Sequence, residues 1–552
     1  MSPRRRKPAT PPRDAIPGIT RRAVLEAAAA AACAYALPAC GGRRAIEGRI
    51  VGPSDARGHL LRGGAASGPV TVRDDVPVLV VGGGVAGLSA AWKLVRAGFT
   101  DLRLLELEDA LGGTAAGGRN AVSAYPLGAH YLPVPTRDER AVAELLTEMG
   151  ILRGFDPKGR ALVDEASLCR APQERLFVGD QWYEGLFPKE LLSAEDQRQM
   201  DAFQARVATY AARRDDAGRR AFAIPVAHSA RDPDLLALDG ISMARWLDEA
   251  GITAPRVRWT VEYACRDDFG ARLEGTSAWA GLHYFAARIP VPGDDAAPFL
   301  TWPEGNARLV RHLARSVEGR TRTGVVVLAV EPAADRVRVR WLDVARGTVG
   351  ETTAEHVICA LPRFVARRVV AGLRKDEPAF VTSPWVVANL TLTAAPDSAG
   401  YPLAWDNVLY DSDSLGYVVA THQADRAARD TVWTWYRAYG GPDPAADRRA
   451  LLAARWEDWR DLVLADLAPA HEGLEACVAS IDVMRWGHGM VRPGPGFLWG
   501  AAREAAARPL GRVHFAAADL GGLALFEEAQ WAGVRAAEEV LAARGVAFTS
   551  SL

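Results

Sequence analysis

The feature that most constrains this chain is a glycine-rich turn placed between an apolar strand and a helix. Residues 76–81 (VPVLVV) form a short, β-branched run that is typical of a buried parallel strand. The turn GGGVAG follows at 82–87, and a helix is predicted over 88–97, ending near Gly98. This order predicts the first strand–helix unit of a nucleotide-binding α/β sheet.

The turn residues have separate physical roles in such a unit. Glycine at the first position permits the tight turn, at the third lets backbone approach a pyrophosphate, and at the sixth lets the helix pack on the strand. Unpaired N–H groups at the helix N-terminus attract phosphate. A second strand over 102–105 ends in an acid placed to accept hydrogen bonds from a ribose diol. The residues predicted to bind the dinucleotide here are Gly82, Gly84, Val85, Ala86, Gly87 and Glu106.

Size and charge narrow the classes of protein that remain. The chain has 552 residues, which at roughly 100–200 residues per domain allows two or three domains or one composite unit. Hydrophobic residues make up 49% and charged residues 24%, as in ordinary soluble globular proteins. The 66 basic residues nearly balance the 67 acidic ones, so the net charge of -1 argues against a nucleic-acid partner.

The six cysteines give no sign of a metal or redox motif. None forms a CxxC pair, so the sequence predicts neither a zinc site nor a reactive dithiol. Four of them lie in the body of the chain, far apart, and are interpreted as buried free thiols.

The first forty residues are typical of an export signal. A basic segment at 4–7, the run TRRAVL at 20–25 and an Ala-rich stretch precede LPAC at 37–40. The apolar stretch 27–39 is shorter than the roughly 20 residues of a membrane span. The signal resembles the twin-arginine type read by export machinery, and LPAC resembles a lipobox, which predicts a periplasmic protein or a lipoprotein anchored through Cys40. The alternative is a disordered tail on a cytoplasmic protein; residues 41–74 are interpreted as a linker.

Further along, the chain resembles the superfamily of flavin-containing amine oxidases and phytoene desaturases. The resemblance rests on LGGT at 111–114 with Gly117 and Gly118 beyond, and on LGAHYLP at 127–133. In that family a Gly-Gly loop passes close to FAD, and the second segment runs beside the flavin ring. The resemblance therefore implies that Gly112 and Gly113 bind FAD and that His130 and Tyr131 belong to the active site.

Two later regions extend the resemblance over most of the chain. The strands predicted at 324–330 and 336–340, followed by VICALP at 357–362, match the family's middle section. Residues 513–519 (VHFAAAD), then FEEA at 526–529 and a helix over 533–541, match its closing motif. By this resemblance the Val327 backbone meets the adenine, Asp519 contacts the ribityl chain, and Ala529 lies at the helix end that faces the pyrophosphate.

The resemblance implies an α/β fold in which a discontinuous, Rossmann-like FAD-binding domain carries an inserted substrate domain. We assign residues 75–150, 301–375 and 486–545 to the FAD-binding domain and residues 151–300 and 376–485 to the substrate domain. The first insertion is predicted to be mainly helical, at 195–214 and 243–250. The second has strand-like runs at 385–392, 415–421 and 432–439, which suggest a mixed sheet.

The chemistry implied is hydride transfer from a small organic substrate to FAD, with oxygen or another acceptor reoxidising the flavin. The family's lysine is absent from 385–392, and Leu525 stands in place of its tyrosine. No cysteine precedes the closing motif, so the FAD is expected to be non-covalent. We hypothesise that Trp486 and His488 line the pocket, against the alternative of a structural crossover loop. The run WDN at 405–407 is a further candidate.

Other functions remain open at this point. Within enzymes, the rival is a carotenoid-like desaturase, which a greasy pocket would favour. A flavin-binding electron-transfer protein without its own substrate would expose its ring to solvent. A protein that has lost the cofactor altogether would purify without flavin absorbance.

Overall fold

Two mixed β-sheets organise the chain in the computed structural model, which describes residues 45–62, 68–289, 298–374, 380–424 and 429–552. Residues 46–552 form one unit. The predicted export signal and Cys40 lie outside the described residues.

The strands are numbered in chain order. They are β1 (Glu47–Gly52), β2 (Val72–Val81), β3 (Leu102–Leu105), β4 (Gly117–Arg119), β5 (Ala124–Pro126), β6 (Tyr131–Pro133), β7 (Leu152–Phe155), β8 (Ala161–Val163), β9 (Glu174–Val178), β10 (Gln181–Glu184), β11 (Phe299–Thr301), β12 (Thr321–Arg322), β13 (Val325–Pro332), β14 (Val337–Asp343), β15 (Thr348–Cys359), β16 (Thr382–Leu392), β17 (Asp406–Leu409), β18 (Tyr417–Val419), β19 (Thr431–Ala438), β20 (Val478–Val491) and β21 (Val513–Phe515).

The α-helices are numbered in the same way, leaving out single 3₁₀ turns. They are α1 (Asp55–His59), α2 (Val85–Arg96), α3 (Arg140–Glu148), α4 (Ala194–Ala212), α5 (Pro233–Ala237), α6 (Met243–Glu249), α7 (Pro255–Phe269), α8 (Ala278–Ala286), α9 (Ala307–Ala314), α10 (Arg363–Val369), α11 (Pro444–Ala453), α12 (Trp456–Leu467), α13 (Leu474–Cys477), α14 (Ala501–Ala506), α15 (Ala518–Gly521) and α16 (Phe526–Ala543).

The seven-stranded sheet has the order β12-β3-β2-β15-β14-β13, with β21 also paired to β15. The pairs β12–β3, β3–β2, β2–β15 and β15–β21 are parallel, whereas β13, β14 and β15 form an antiparallel meander. The apolar run of β2 lies at its centre, and Val78, Leu79 and Val80 have no exposed surface. Helices α2 and α16 pack on one face of this sheet.

The eight-stranded sheet has the order β1-β20-β16-β19-β18-β17-β9-β10. Strand β16 is buried along nearly its whole length, and alternate side chains enter different cores. Val386 and Leu390 pack against α12, while Trp385 and Val387 pack on the opposite face with residues of α7. This second face is the one that meets the loop before β6.

A helical layer completes the fold. Helices α4, α6, α7 and α8 share one buried core, in which Trp279 and Phe269 are fully covered. None of the described helices is both long enough and apolar enough to cross a membrane.

The fold class expected from the sequence is confirmed: the structure combines a Rossmann-like sheet with a mixed sheet and a helical layer. Local predictions also agree closely, since the strand predicted at 102–105 is β3 and the helix predicted at 195–214 is α4. The assignment of strands and helices to separate domains stays a prediction, because residues 46–552 form a single unit.

The interpretation of residues 41–74 as a linker is wrong. Residues 47–52 form β1, which pairs in parallel with β20, and residues from 72 onward already belong to β2. The glycine that suggested a linker is required by the pairing, because a Cβ on Gly48 would lie 1.9 Å from the Ile481 carbonyl oxygen. Composition therefore misled here, since a glycine was needed for close backbone approach.

The domain boundary placed at residue 486 is also wrong. Strand β20 runs without interruption from Val478 to Val491 and belongs to the eight-stranded sheet. The segment around Trp486 is therefore a strand, and the crossover-loop alternative is excluded. Glycines at 487 and 489 suggested a loop, yet Gly489 packs against the Trp385 ring, which a side chain at that position would overlap.

Candidate active site

The glycine turn has the close contacts that the sequence predicts. Gly82 adopts a φ of 104°, in the region that favours glycine, and its N–H donates to the Leu105 carbonyl at 2.8 Å. A Cβ on Gly87 would lie 1.9 Å from the Gly82 carbonyl oxygen, so only glycine allows α2 to begin this close to the turn. Val85 and Ala86 form the first turn of α2, whose N–H groups are available to an anion.

Glu106 lies directly beside this turn. Its Oε2 accepts the Gly83 N–H at 2.5 Å and its Oε1 accepts the Glu108 N–H at 2.8 Å. Burial raises the pKa of Glu106, although these backbone hydrogen bonds oppose the shift. The carboxyl is thus held at the end of β3, where an acceptor for a ribose diol is expected.

The second glycine loop approaches the first from the other side. Gly112 pairs with Gly84, and the Gly112 N–H donates to the Gly83 carbonyl at 2.8 Å. A Cβ on Gly113 would lie 3.3 Å from the Gly84 Cα. Strand β13 adjoins the same region, because the Val325 N–H donates to the Glu106 carbonyl at 2.9 Å. Val327 lies two residues further along that strand, where the pairing with β14 shifts register.

The closing segment of the chain brings Asp519 to this region. Its Oδ2 accepts the Arg363 N–H at 2.6 Å, whereas its Oδ1 is buried without a hydrogen-bond partner. Burial raises the pKa of Asp519 to about 6. An orphaned buried acceptor calls for a donor from water or a ligand, and a ligand hydroxyl meets that need.

Helix α16 completes the arrangement. Ala529 is buried in its first turns, and a Cβ on Gly533 would lie 2.1 Å from the Ala86 carbonyl oxygen, so α16 touches α2 directly. On the other side of the turn, a Cβ on Gly82 would lie 2.6 Å from the Ala360 carbonyl oxygen.

We call this set of predicted cofactor residues the cofactor cradle. Its glycines, buried acceptors and helix N-termini fit a dinucleotide. The Asp519 oxygen without a hydrogen-bond partner could accept a hydrogen bond from that ligand. The structure brings together these members: Gly82, Gly84, Val85, Ala86, Gly87, Glu106, Gly112, Gly113, Asp519 and Ala529.

Beyond the cradle, His130 at the end of the loop before β6 and Tyr131 at the start of β6 belong to an aromatic cluster. The His130 ring lies 4.6 Å from that of Tyr436 and 5.7 Å from that of Trp405, measured between centroids. The Tyr436 hydroxyl donates to the Gly128 carbonyl at 3.0 Å, which ties β19 to the loop. Burial lowers the pKa of His130 to about 4, so the imidazole is neutral near pH 7.

These rings line an internal cavity of about 30 Å³, room enough for one or a few waters. We call it the aromatic cavity. The residues of its other walls come from both insertions, 151–300 and 376–485. The lining residues are His130, Tyr131, Glu174, Leu186, Tyr263, Asp267, Tyr284, Phe299, Trp405, Asp406, Leu415, Val418 and Tyr436.

Three carboxyl groups face this cavity: Glu174 from β9, Asp267 from α7 and Asp406 from β17. Burial raises the pKa of all three. For Asp406 the charge of Glu174 adds to that effect, and for Asp267 the neighbouring Asp268 brings the pKa to about 7. A ligand carrying positive charge would reverse these shifts, because an opposite charge favours the ionised carboxylate.

The two candidates on β20 occupy different places. The Trp486 indole N–H donates to the Leu127 carbonyl at 2.7 Å, so this ring borders the loop that carries His130. His488 stacks instead on Phe364 at 3.9 Å between centroids, with its Nδ1 at 2.7 Å from the Thr382 hydroxyl. Burial, and then the charge of Arg448, lower the pKa of His488 to about 3. Neither Trp486 nor His488 is therefore among the residues that line the aromatic cavity.

A larger groove of about 610 Å³ lies away from the cradle, on α3 and its surroundings. Its walls mix Arg96, Arg137 and Arg140 with Glu144 and Glu148. None of the residues that line this groove belongs to the glycine turn, and Arg96 pairs there with Glu144 and Glu148. The aromatic cavity is therefore the candidate substrate site.

Sequence reasoning missed most of the cavity's charge. Asp406 and Trp405 were candidates, but Glu174, Asp267, Tyr263 and Tyr284 were not identified. One signal was available for Asp267: the acidic pair at 267–268 falls in a helix next to its buried residues, where unpaired charge is rare. Asn407 has a structural role instead, since its Oδ1 accepts a hydrogen bond from Arg175 Nε at 2.5 Å.

Comparisons with known proteins agree with this fold. Residues 80–149 match the NAD(P)-binding Rossmann-like domain family. Wild-type putrescine oxidase bound to putrescine aligns with a TM-score of 0.60 at 17% identity, covering 85% of this chain and 100% of that chain. Cyclohexylamine oxidase from Brevibacterium oxydans IH-35A gives 0.59 at 16%, covering 85% and 100%. The CLA-producing fatty acid isomerase from P. acnes gives 0.58 at 16%, covering 85% and 98%.

The chain therefore has the same fold as these putrescine oxidase and cyclohexylamine oxidase structures, with a Rossmann-like domain at its first strand–turn–helix unit. A comparison with curated proteins finds no sequence match. At this level of identity the structural likeness defines the fold, and the reaction has to be argued from the site.

Proposed function

We propose that the protein is an FAD-dependent oxidoreductase that oxidises the C–N bond of a positively charged amine. The observation that carries the proposal is the convergence of Glu174, Asp267 and Asp406 on a cavity walled by aromatic rings. Carboxylates and ring faces are the groups that attract an ammonium ion. The cavity has a volume of only about 30 Å³, so its walls would have to move apart for an amine to bind, and His130 and Tyr131, which line it, belong to the segment expected to run beside the flavin.

The cradle is proposed to hold FAD without a covalent bond. The N-terminus of α2 would face the pyrophosphate, Glu106 would accept from the ribose, and the free Asp519 oxygen would accept from the ribityl chain. When bound, FAD accepts one hydride equivalent, which is two electrons and one proton, from the substrate. The protein's own residues orient the amine and keep the reaction away from bulk water.

The arrangement of charge favours an amine over the rival substrates of this fold. A desaturase or a fatty acid isomerase requires an apolar tunnel, and three carboxyls in the cavity wall would repel a fatty acid carboxylate. More than one carboxyl also favours an amine with more than one ammonium group, since a single positive charge leaves the others uncompensated.

The experiment is anaerobic reduction of the purified holoenzyme by putrescine, cyclohexylamine and linoleic acid. We expect the amines, and putrescine most strongly, to bleach the flavin absorbance and linoleic acid to leave it unchanged. Glu174→Gln should raise the apparent Kd for putrescine roughly ten- to a hundredfold, since a hydrogen bond to a charged group contributes about 1.5–3 kcal/mol. Glu184→Gln, an exposed change on the adjoining strand β10, is the matched control. Bleaching by linoleic acid alone would refute the amine assignment.

His130→Ala should leave flavin binding intact and slow flavin reduction by putrescine about tenfold. The imidazole packs on Tyr436 and Trp405, so its loss removes a wall of the cavity without touching the cradle. Stopped-flow absorbance measures the rate, and the flavin spectrum checks the cradle. His312→Ala, on α9, serves as control; reduction at the wild-type rate in His130→Ala would contradict a role for this ring.

A further inference from the structure

Two of the carboxyl groups that face the aromatic cavity are direct neighbours across adjacent strands. Strand β9 pairs in parallel with β17, and Glu174 lies opposite Asp406 in this pairing. Adjacent strands are only about 4.8 Å apart, and residues paired in this way have their side chains on the same face of the sheet. Both side chains line the aromatic cavity. The two carboxyl groups therefore lie side by side, whereas Asp267 reaches the cavity from α7.

The arginine that follows Glu174 does not pair with this charge. Successive residues of a strand point to opposite faces, so Arg175 and Asn407 lie on the other side of the sheet. There Arg175 donates from Nε to Asn407 Oδ1 at 2.5 Å and from Nη2 to the Tyr417 hydroxyl at 3.0 Å. Its guanidinium also lies 3.8 Å from the centroid of the Trp182 ring. Arg175 is thus held behind the sheet, away from the cavity.

A second buried arginine, Arg288, has its own partner. It donates to Asp268 Oδ2 at 2.6 Å and to the Tyr131 hydroxyl at 3.4 Å. This ion pair is buried on both sides, since the side chains of Arg288 and Asp268 are only 6% and 5% exposed. Within the part of the chain that the structure describes, neither Glu174 nor Asp406 forms an ion pair with a lysine, arginine or histidine.

Hydrogen-bond donors are also scarce around the pair. The Tyr263 hydroxyl lies 3.5 Å from Asp406 Oδ2, which is a long contact. Among the described residues, no side chain donates to Glu174. Buried carboxyl groups normally have donors from the protein, water or a ligand. A proton held between two neighbouring carboxyl groups supplies one such donor to the pair.

Like charges on neighbouring strands oppose each other's ionisation. Two carboxylates that share a site without a cation do not both stay ionised, because repulsion raises the pKa of one of them. Burial raises the pKa of Glu174. Burial, then the charges of Glu174 and Asp267, raise the pKa of Asp406. With Arg175 and Tyr417 behind the sheet, the other titratable groups around the pair are His130, Tyr131, Cys169, Tyr263, Asp267, Tyr284 and Tyr436.

We propose that Glu174 and Asp406 share one proton in the empty cavity and exchange it for an ammonium group. The proposal rests on the amine substrate proposed above and assigns to this pair the binding of one ammonium group. In the exchange, the O–H bond of the pair breaks and its proton leaves to solvent. The N–H groups of the ammonium then donate to the two carboxylates, and no electrons are transferred. An apolar chain has no charge with which to displace the proton, so the pair selects a cation.

The first test uses ammonium chloride as the probe. The ammonium ion is close to water in size, which suits a cavity of about 30 Å³, and it has no C–H bond to oxidise. Added to weakly buffered holoenzyme near neutral pH, it should release about one proton per ion bound, detected with an indicator dye. Tetramethylammonium chloride at the same ionic strength is the control, because this larger ion has no N–H group, and it should release none.

The same titration, repeated at several pH values, tests the competition between proton and cation. The apparent Kd for ammonium should fall by up to about tenfold per pH unit as the pH rises, as long as ammonium itself stays protonated. Binding without proton release, or no binding of ammonium to the wild-type holoenzyme, would overturn the proposal.

The second test separates a shared proton from one held by a single carboxyl group. Glu174→Gln and Asp406→Asn each leave one carboxyl group without a like charge beside it. Each variant should bind ammonium at least about tenfold more weakly than wild type, without proton release and with a Kd that no longer depends on pH. Asp267→Asn should retain the proton release, and Glu165→Gln, an exposed control, should match wild type. The flavin spectrum and circular dichroism check the fold of each variant.

Proton release that persists in both pair variants would overturn the shared proton, because the proton would then come from another group. The outcome for the proposed function is read separately. If putrescine and cyclohexylamine fail to bleach the wild-type flavin, the proposed function is refuted, and the ammonium titration still decides the role of the pair.

Discussion

Gly87→Ala should yield a protein that purifies without flavin absorbance. A Cβ at this position would lie 1.9 Å from the Gly82 carbonyl oxygen and 3.2 Å from the Ala360 side chain. Backbone cannot yield by that amount locally, so α2 must move away from the turn and take with it the N–H groups of Val85 and Ala86. We expect FAD affinity to fall at least about a hundredfold, equivalent to some 2.7 kcal/mol.

The measurement is titration of the flavin-free variant with FAD, followed by flavin fluorescence. Gly58→Ala is the matched control, because a Cβ at Gly58, in α1, would meet no atom within 4 Å. A circular dichroism spectrum separates a displaced helix from general unfolding. Wild-type FAD affinity in folded Gly87→Ala would show that the turn does not bind the pyrophosphate.

The free energy of unfolding should fall as the pH rises from about 4.5 to about 7 and then level off. Burial raises the pKa of Glu528 from its ordinary value of 4.5 to about 7, and the pKa values of Asp267 and Glu527 are raised to similar values. In this pH range the native state binds more protons than the unfolded state, so stability decreases with increasing pH. For Glu528 the loss amounts to at most about 3 kcal/mol, at 1.36 kcal/mol per pKa unit.

The check is the thermal midpoint of the FAD-saturated protein as a function of pH. Glu528→Gln should flatten the profile, because an amide does not ionise and the Val226 N–H retains an oxygen acceptor at 2.5 Å. Glu457→Gln, exposed in the first turn of α12, should leave the slope unchanged. A midpoint that rises with pH over the same interval would contradict the shifted carboxyls.

How much of the site the sequence could predict depended on whether its residues were adjacent in the chain. The glycine turn and Glu106 form a local pattern with a fixed physical purpose, and the structure brings them together. Asp267 and Glu174 are far apart in the first insertion and Asp406 comes from the second, and the three meet only because α7, β9 and β17 border the same cavity. No spacing in the sequence records that meeting. Gly48 is an example of a wrong prediction. The composition around it was interpreted as that of a linker, whereas the structure shows that Gly48 lies where β1 pairs closely with β20.

His488 shows the limit of proximity along the chain. It is two residues from Trp486, and alternate residues of a strand share a face, so a common role was a reasonable hypothesis. The pairing of β20 with β16 is irregular between Trp486 and Met490, however, and one ring reaches the loop at Leu127 while the other reaches Phe364 on α10. The surroundings of the two rings therefore differ because of tertiary packing, which the spacing along the chain does not reveal.

The contact between Gly533 and Ala86 has a consequence for the order of events during synthesis. The glycine turn is among the first parts of this unit to leave the ribosome, yet α16, which packs directly on it, is among the last. Strand β15, which pairs with β2, and strand β21, which pairs with β15, also follow the turn by a long stretch of chain. A nascent chain would therefore carry an incomplete nucleotide pocket until α16 has been synthesised, and cofactor loading would follow the synthesis of that helix.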